Sequence, residues 1–234
     1  MLRSLVTTII FTSLCLSAVC IAQENKGVNV FRIAELNCEN LFDTIHDDGF
    51  RDEEFLPDSE RRWTSTRYRR KLMMISKELA SISPVNAPDI IALIEVENDS
   101  VVRDLTRRTP LKALQYDYII THSRDPRGID IALLYQEGGF RPLQTNIVKW
   151  DHRLGMPQLR TRDLLHVKGR TRSGDTVNII VYHAPSRLGG RKAQRTRNLI
   201  AQSLRQYADS IMSTENKAKI ILLGDFNDTP TSKS

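Results

Sequence analysis

Four short apolar runs in this chain each end, on the carboxyl side, in residues able to bind a metal ion or a phosphate. The first leads into Asn37-Cys38-Glu39-Asn40, and the second, Ile90–Ile94, into Glu95 and Glu97. The third, Val177–Tyr182, delivers His183 and then Ala184-Pro185-Ser186-Arg187; the fourth, Ile220–Leu223, delivers Gly224-Asp225-Phe226-Asn227-Asp228. A carboxylate at the tip of a buried strand is unfavourable unless an opposite charge compensates it, and a hard divalent cation does so well. Carboxylate and amide oxygens suit Mg2+, Mn2+ or Ca2+, whereas one histidine with no nearby cysteine or second histidine argues against zinc. Taken singly, each residue has a plainer use. Asn37, Asp225 and Asn227 are ordinary turn residues, Glu95 could be a paired buried carboxylate, and His183 a satisfied core or surface histidine. Four strand ends finishing alike carry more weight than any one of them.

The elements that must position these residues follow from the hydrophobic pattern. Strands are predicted over Val28–Leu36, Asp89–Val96, Tyr116–Thr121, Ile129–Tyr135, Leu164–Lys168, Thr176–Tyr182 and Lys219–Leu223. Asp89–Val96 is almost continuously apolar, as a strand buried on both faces would be. Tyr68, Leu72, Ile75 and Leu79 recur at helical spacing within Thr66–Ser81. Arg191–Met212 is a longer amphipathic helix. Gly138-Gly139 and Gly189-Gly190 mark turns. Strands and helices mixed without regular βαβ alternation indicate an α+β or layered-sandwich fold. No linker divides the chain, so one domain is expected.

Composition bounds the class. The 234 residues include 34 Lys and Arg against 28 Asp and Glu, with 40% hydrophobic and 26% charged residues. That balance excludes a disordered tail, a collagen-like chain and a multi-span membrane protein, and three cysteines are too few for a disulfide scaffold. Residues 1–22 have one basic residue, Arg3, an apolar stretch and small residues at Cys20 and Ala22 before a polar turn. This describes a secretory signal peptide cleaved after Ala22, giving a secreted or periplasmic protein. A retained anchor and lipidation at Cys20 are the alternatives; Val19 stands where a lipoprotein signal favours a small residue. Cleavage leaves Cys38 as the one cysteine and a net charge of +5. His46–Glu60 is acidic, at −6, so the rest of that chain carries +11, which favours an anionic partner.

Five segments also carry a family resemblance. Asn37-Cys38-Glu39-Asn40-Leu41-Phe42-Asp43, Ile94-Glu95-Val96-Glu97-Asn98, Arg127-Gly128-Ile129-Asp130, His183–Arg187 and Gly224–Asp228 resemble, in order, the motifs of the endonuclease/exonuclease/phosphatase superfamily. That group holds deoxyribonuclease-I-like and exonuclease-III-like enzymes, neutral sphingomyelinases and inositol-polyphosphate 5-phosphatases, and the likeness is to its secreted bacterial members. The resemblance implies a four-layer α/β/β/α sandwich with a site where strand ends of both sheets meet. It implies Glu95 as principal metal ligand with Asn37 and Glu39 beside it. It further implies His183 on the scissile phosphate, Asp225 on the attacking water, and Asn227 on a phosphate oxygen or the metal. Arg127 and Asp130 fall where substrate-facing residues occur, and Ser186 and Arg187 follow the histidine. The family's closing Ser-Asp-His motif is not found after Asn227-Asp228. Residues 23–234 are therefore expected to be such a domain lacking its C-terminal part, inactive or impaired alone. The implied cofactor is Mg2+, or Mn2+ or Ca2+ in its place.

Those roles suit the chemistry. Hydrolysing a phosphodiester requires neutralised non-bridging oxygens, a stabilised leaving alkoxide and a water held in line. Arg187, Arg191, Lys192, Arg195, Arg197 and Arg205 follow the His183 strand with no acidic residue among them. Either they form a solvated helix face or they attract a polyanion by its backbone. A second basic group, Arg61–Lys71, has the same two readings. The acidic stretch Asp47–Glu54 lacks the ligand spacing of an EF-hand and reads as a solvated loop. The expected function is a secreted phosphodiester hydrolase, a nuclease acting on DNA or RNA. The alternatives are a phosphatase or lipid-headgroup phosphodiesterase, and a non-catalytic polyanion-binding module.

Overall fold

The computed structural model describes residues 30–82, 86–229 and 231–232. The expected signal peptide, its cleavage site and Cys20 lie outside the described residues, and so do Val28 and Asn29. Among the described residues no helix is long and apolar enough to cross a membrane.

Among the described residues, eight strands form two mixed sheets. The first contains β1 (Ile33–Leu41), β2 (Ile90–Val96), β3 (Asp117–Ile120) and β4 (Asp130–Tyr135), in the order β1-β2-β4-β3. The second contains β5 (Phe140–Val148), β6 (Leu164–Thr171), β7 (Thr176–Val181) and β8 (Ile220–Leu223), in sequence order. β1 runs parallel to β2, and β7 parallel to β8, while the other pairs are antiparallel. The two parallel pairs are the four strands whose carboxyl ends carry the candidate residues.

The sheets face each other across an apolar core. Ile90, Ala92, Ile94, Ile131 and Leu133 of the first pack on Leu165, Val167, Val177, Ile179 and Val181 of the second. Because β2 also packs its other face, through Ile91 and Leu93, on helices, its run Ile90–Ile94 is apolar on both faces. Those helices are α1 (Ser65–Ser81) and α2 (Asp99–Arg107). The outer face of the second sheet buries Ile180, Tyr182 and Leu164 against a short helix α3 (Trp150–Arg153) and α4 (Gly190–Thr214). The result is an α+β, four-layer α/β/β/α sandwich.

Several elements differ from the sequence reading. β1 begins later than expected and continues through Asn37–Asn40, beyond the expected end at Leu36. The helix α2 had no periodicity long enough to reveal it; Asn98 caps it, accepting from Ser100 N at 2.9 Å. Gly189 closes a 3-10 turn and Gly190 opens α4, so the pair leads into a helix instead of an isolated turn. The acidic stretch is not simply solvated: Asp52 is buried, accepts from Asp47 N at 2.7 Å and pairs with His46.

Candidate active site at the carboxyl ends of four strands

The β1–β2 ladder breaks where the site begins. Asn37 pairs with Ile94 and Leu41 with Val96, so three residues of β1 stand opposite Glu95 alone. Glu39, Asn40 and Glu95 all take left-handed backbone (φ 51°, 64° and 61°). Such conformations are costly for non-glycine residues and persist only where surroundings hold them. Here the holding bonds belong to the candidate residues. Glu39 N donates to Asn37 Oδ1 at 2.8 Å, and Asn40 N to Glu95 Oε2 at 3.0 Å.

The second sheet meets this bulge. Asn37 Nδ2 donates to Asp225 Oδ2 at 3.2 Å, joining the two sheets across 188 residues of sequence. His183 Nε2 approaches Glu95 Oε1 to 3.7 Å, too far for a hydrogen bond. Burial, with Arg162 and Arg127 nearby, pushes the His183 pKa down to about 2. The ring is therefore neutral, and its approach to Glu95 is not an ion pair. Its Nδ1 is buried with no hydrogen-bond partner among the described residues.

Asp225 and Asn227 are set by the turn after β8. Asp225 Oδ1 accepts from Asn227 N at 2.8 Å, and Asn227 Nδ2 donates to Ala184 O at 3.0 Å. Ala184 N donates to Asp225 O at 2.8 Å. The β7 and β8 ends are thus fastened together just beyond His183.

Other expected residues fall at graded distances from this cluster. The Glu39 side chain is exposed, and its backbone is what ties into the bulge. Asp130 opposes Val96 on the neighbouring strand, but its carboxylate is buried, accepting from Thr121 Oγ1 at 2.6 Å and Ser123 N at 2.9 Å. Ser186 and Arg187 are exposed in the 3-10 turn, where Ser186 Oγ accepts from Leu188 N.

The sequence reading missed the scaffold behind His183. Arg162 and Asp125, each buried, pair at 2.9 Å. Arg162 also donates to Ala184 O, while Asp125 Oδ1 accepts from Arg127 N at 3.0 Å. Asp125 thereby fixes the loop carrying Arg127 to the strand end carrying His183. Arg197 similarly donates to the carbonyls of Pro185 and Ser186.

The sequence model of the Endonuclease/Exonuclease/phosphatase family matches residues 32–234. The chain belongs to this family. None of the curated proteins compared with it matches. Among solved structures, the human nocturnin catalytic domain is similar, with a TM-score of 0.53 at 23% identity. The match covers 70% of this chain and 58% of that one. A humanized D. rerio TDP2 gives 0.50 at 20% identity, over 69% of this chain and 62% of that one. The Bacteroides thetaiotaomicron mannosyl-6-phosphatase Bt3783 gives 0.55 at 16% identity, over 87% of this chain and 68% of that one. At such identities the likeness establishes the endonuclease/exonuclease/phosphatase fold. The chain spans about three fifths of the nocturnin and TDP2 chains it matches.

The donor set can be tested against the divalent cation on which enzymes of this family generally depend. No group of three or more His, Cys, Asp and Glu side chains placed to hold a metal ion occurs among the described residues. What the bulge and the β8 turn link instead is a mixed set, the carboxylates of Glu95 and Asp225 with the amide of Asn37. Glu95 Oε2 is taken by Asn40 N, while Oε1 points toward His183 without bonding it. Oxygen donors of this kind fit a hard cation that keeps part of its water shell.

Proposed function

We propose that this site belongs to an exported, divalent-metal-dependent phosphodiester hydrolase that acts on nucleic acid. The observation that carries the reading is the junction of the two sheets, Asn37 with Asp225 and Glu95 beside His183. In it Glu95, with Asn37 and Glu39 beside it, would hold Mg2+ or a similar ion. The bound ion supplies Lewis-acid neutralisation of phosphate oxygens and of the leaving alkoxide. Asp225 accepts a proton from the attacking water, held in place by its bonds from Asn37 and Asn227. Neutral His183 donates to a non-bridging oxygen as charge builds there, an electrostatic contribution that is often the largest in such reactions. Asn227 steadies a phosphate oxygen, and Arg127, Ser186 and Arg187 line the approach of the substrate chain, while buried Asp130 serves behind them by holding Thr121 and Ser123. Exposed Arg191, Lys192 and Arg195 extend that approach along α4.

The same reading takes residues 23–234 as the larger part of the catalytic domain, with residues 1–22 as the leader. The incomplete-domain part is supported by the partial span of the family structures above, and the leader by the basic, apolar and small-residue pattern of residues 1–22. Purified 23–234 is then expected to be inactive or strongly impaired, and the longer parent active. Plasmid DNA or RNA should be cut by the parent in an EDTA-sensitive reaction. Glu95→Ala or Asp225→Ala should lower the rate at least 100-fold, as loss of a metal-holding or water-orienting group does. Intact nucleic acid alongside release of phosphate from a sugar phosphate would replace this reading with a phosphatase. The 87% coverage by the Bacteroides mannosyl-6-phosphatase favours that second reading. Enzyme-like turnover by 23–234 alone would remove the incomplete-domain part of the proposal.

A further inference from the structure

We infer that Lys71 is a positioning residue whose ammonium clamps the β1 bulge that presents Asn37 and Glu95 for ion binding. Its Nζ donates to the carbonyl of Glu39 and, at 3.1 Å, to that of Asn40. These two carbonyls lie where the ladder to β2 skips from Asn37 to Leu41, so the regular strand bonds are interrupted there. The same two residues carry left-handed backbone, and Asn40 N is the donor that fixes Glu95. Through Glu39 O, Lys71 therefore binds the acceptor side of the peptide unit whose donor, Asn40 N, orients the Glu95 carboxylate.

Its own placement is determined from α1. Tyr68, Leu72 and Ile75 bury that helix against the first sheet, which leaves Lys71 half-buried at the margin above the bulge. The ammonium lies over the Trp63 ring at 5.8 Å, and Trp63 Nε1 donates to Phe42 O at 3.0 Å. The carbonyls of residues 39, 40 and 42 are thus all gripped from the α1 side. Burial lowers the Lys71 pKa, against the opposing effect of the Glu39 and Glu95 charges.

A cation so close has two opposed effects on a second cation. Its charge repels a metal ion, whereas its hydrogen bonds hold the donors in register. The inference is that organisation wins, because the two left-handed residues Glu39 and Asn40 relax if their carbonyls lose a partner. It rests on the metal-binding reading above, and the experiment separates the two. Mn2+ alone is titrated into the protein and followed by electron paramagnetic resonance, with melting of the metal-free form measured beside it. Lys71→Met should weaken Mn2+ binding at least tenfold in a protein that still melts cooperatively. Lys71→Arg, which keeps charge and donors, should stay within about threefold of the parent. Equal or tighter binding by Lys71→Met, the outcome of simply removing a repelling charge, overturns the inference and leaves the metal reading intact. If the unmodified protein binds no Mn2+, the metal reading fails and takes the inference with it. Should Lys71→Met not fold, Lys71→Gln decides: weaker binding supports the clamp and tighter binding overturns it. If neither neutral variant folds, Lys71 holds up the fold as a whole and the positioning role is overturned.

Discussion

Asp163 lies in the loop entering β6, buried near Asp130. Burial first, then repulsion from Asp130 and Asp151, pushes its pKa up to about 7, with Lys149 opposing. Burial alone, against bonds from Thr121 and Ser123, puts Asp130 at about 6. In the unfolded chain such carboxyls titrate near 4, so between about pH 4 and 7 the folded state holds the extra proton. Stability is then fully present below about pH 4 and declines as pH rises toward 7. Asp163→Asn should match the parent near pH 4 and exceed it at pH 8, by on the order of 1–3 kcal/mol. Urea melts at the two pH values measure this, and a constant difference between them would refute it. Glu95 and Asp225 could be picked out as candidates in the sequence because one directly follows an apolar run and the other follows one after a single glycine. Asp125 and Arg162 were not, since 37 residues separate them and each alone resembles an ordinary solvated charge. Breaking that pair with Arg162→Met leaves a buried carboxylate without its main partner. It should destabilise the fold by about 3–5 kcal/mol, read as a lowered urea midpoint.

The strand ends are held at the spacing the site requires by close backbone approach. Gly224, immediately before Asp225, has φ of 124°, and a Cβ there would lie 1.9 Å from Tyr182 O. Neither the backbone angle nor that carbonyl can yield while β7 and β8 stay paired through Tyr182 N and Leu223 O. Gly224→Ala should therefore separate the β8 turn from the His183 strand end, at more than about 3 kcal/mol. A large fall in melting temperature, with the Asn37–Asp225 junction lost, is the expected result; an unchanged melt would contradict it. Elements were legible in proportion to their burial pattern. α1 showed itself through Tyr68, Leu72, Ile75 and Leu79, all buried in the structure. β5 did not, because an edge strand with Arg141, Gln144 and Thr145 exposed lacks a clean apolar face. Its Pro142 sits at a register shift, where no ladder donor is required. The bulge in β1 was hidden for a related reason. The expected strand stops at Leu36, before the polar Asn37–Asn40, and the ring of bonds from Asn37, Glu95 and Lys71 keeps that segment within β1.

At the scale of the whole molecule, the alternation of apolar runs and helices was enough to indicate a layered sandwich, while sheet order was not. Nothing local in Asn37 or Asp225 says that β1 and β8 lie on opposing sheets; the pairing emerges from the shared core between them. The same sandwich sorts charge in space. Arg187, Arg191, Lys192 and Arg195 are exposed beyond the His183 strand, on a chain whose net charge is +6. If a polyanion runs over this surface, those four cations displace counterions from its backbone, and affinity must fall with salt. For four contacts the logarithmic slope is about −3.6 on duplex DNA, so raising salt from 50 to 200 mM should weaken binding roughly 100-fold. Replacing all four by serine should flatten that slope while leaving the melting temperature within a few degrees, since none of the four is buried. A phosphate monoester, with no chain to lay along α4, would show only weak salt dependence. Fluorescence anisotropy of a labelled duplex at several salt concentrations therefore distinguishes the nuclease reading from the phosphatase reading. A shallow slope in the unmodified protein would count against nucleic acid as the substrate.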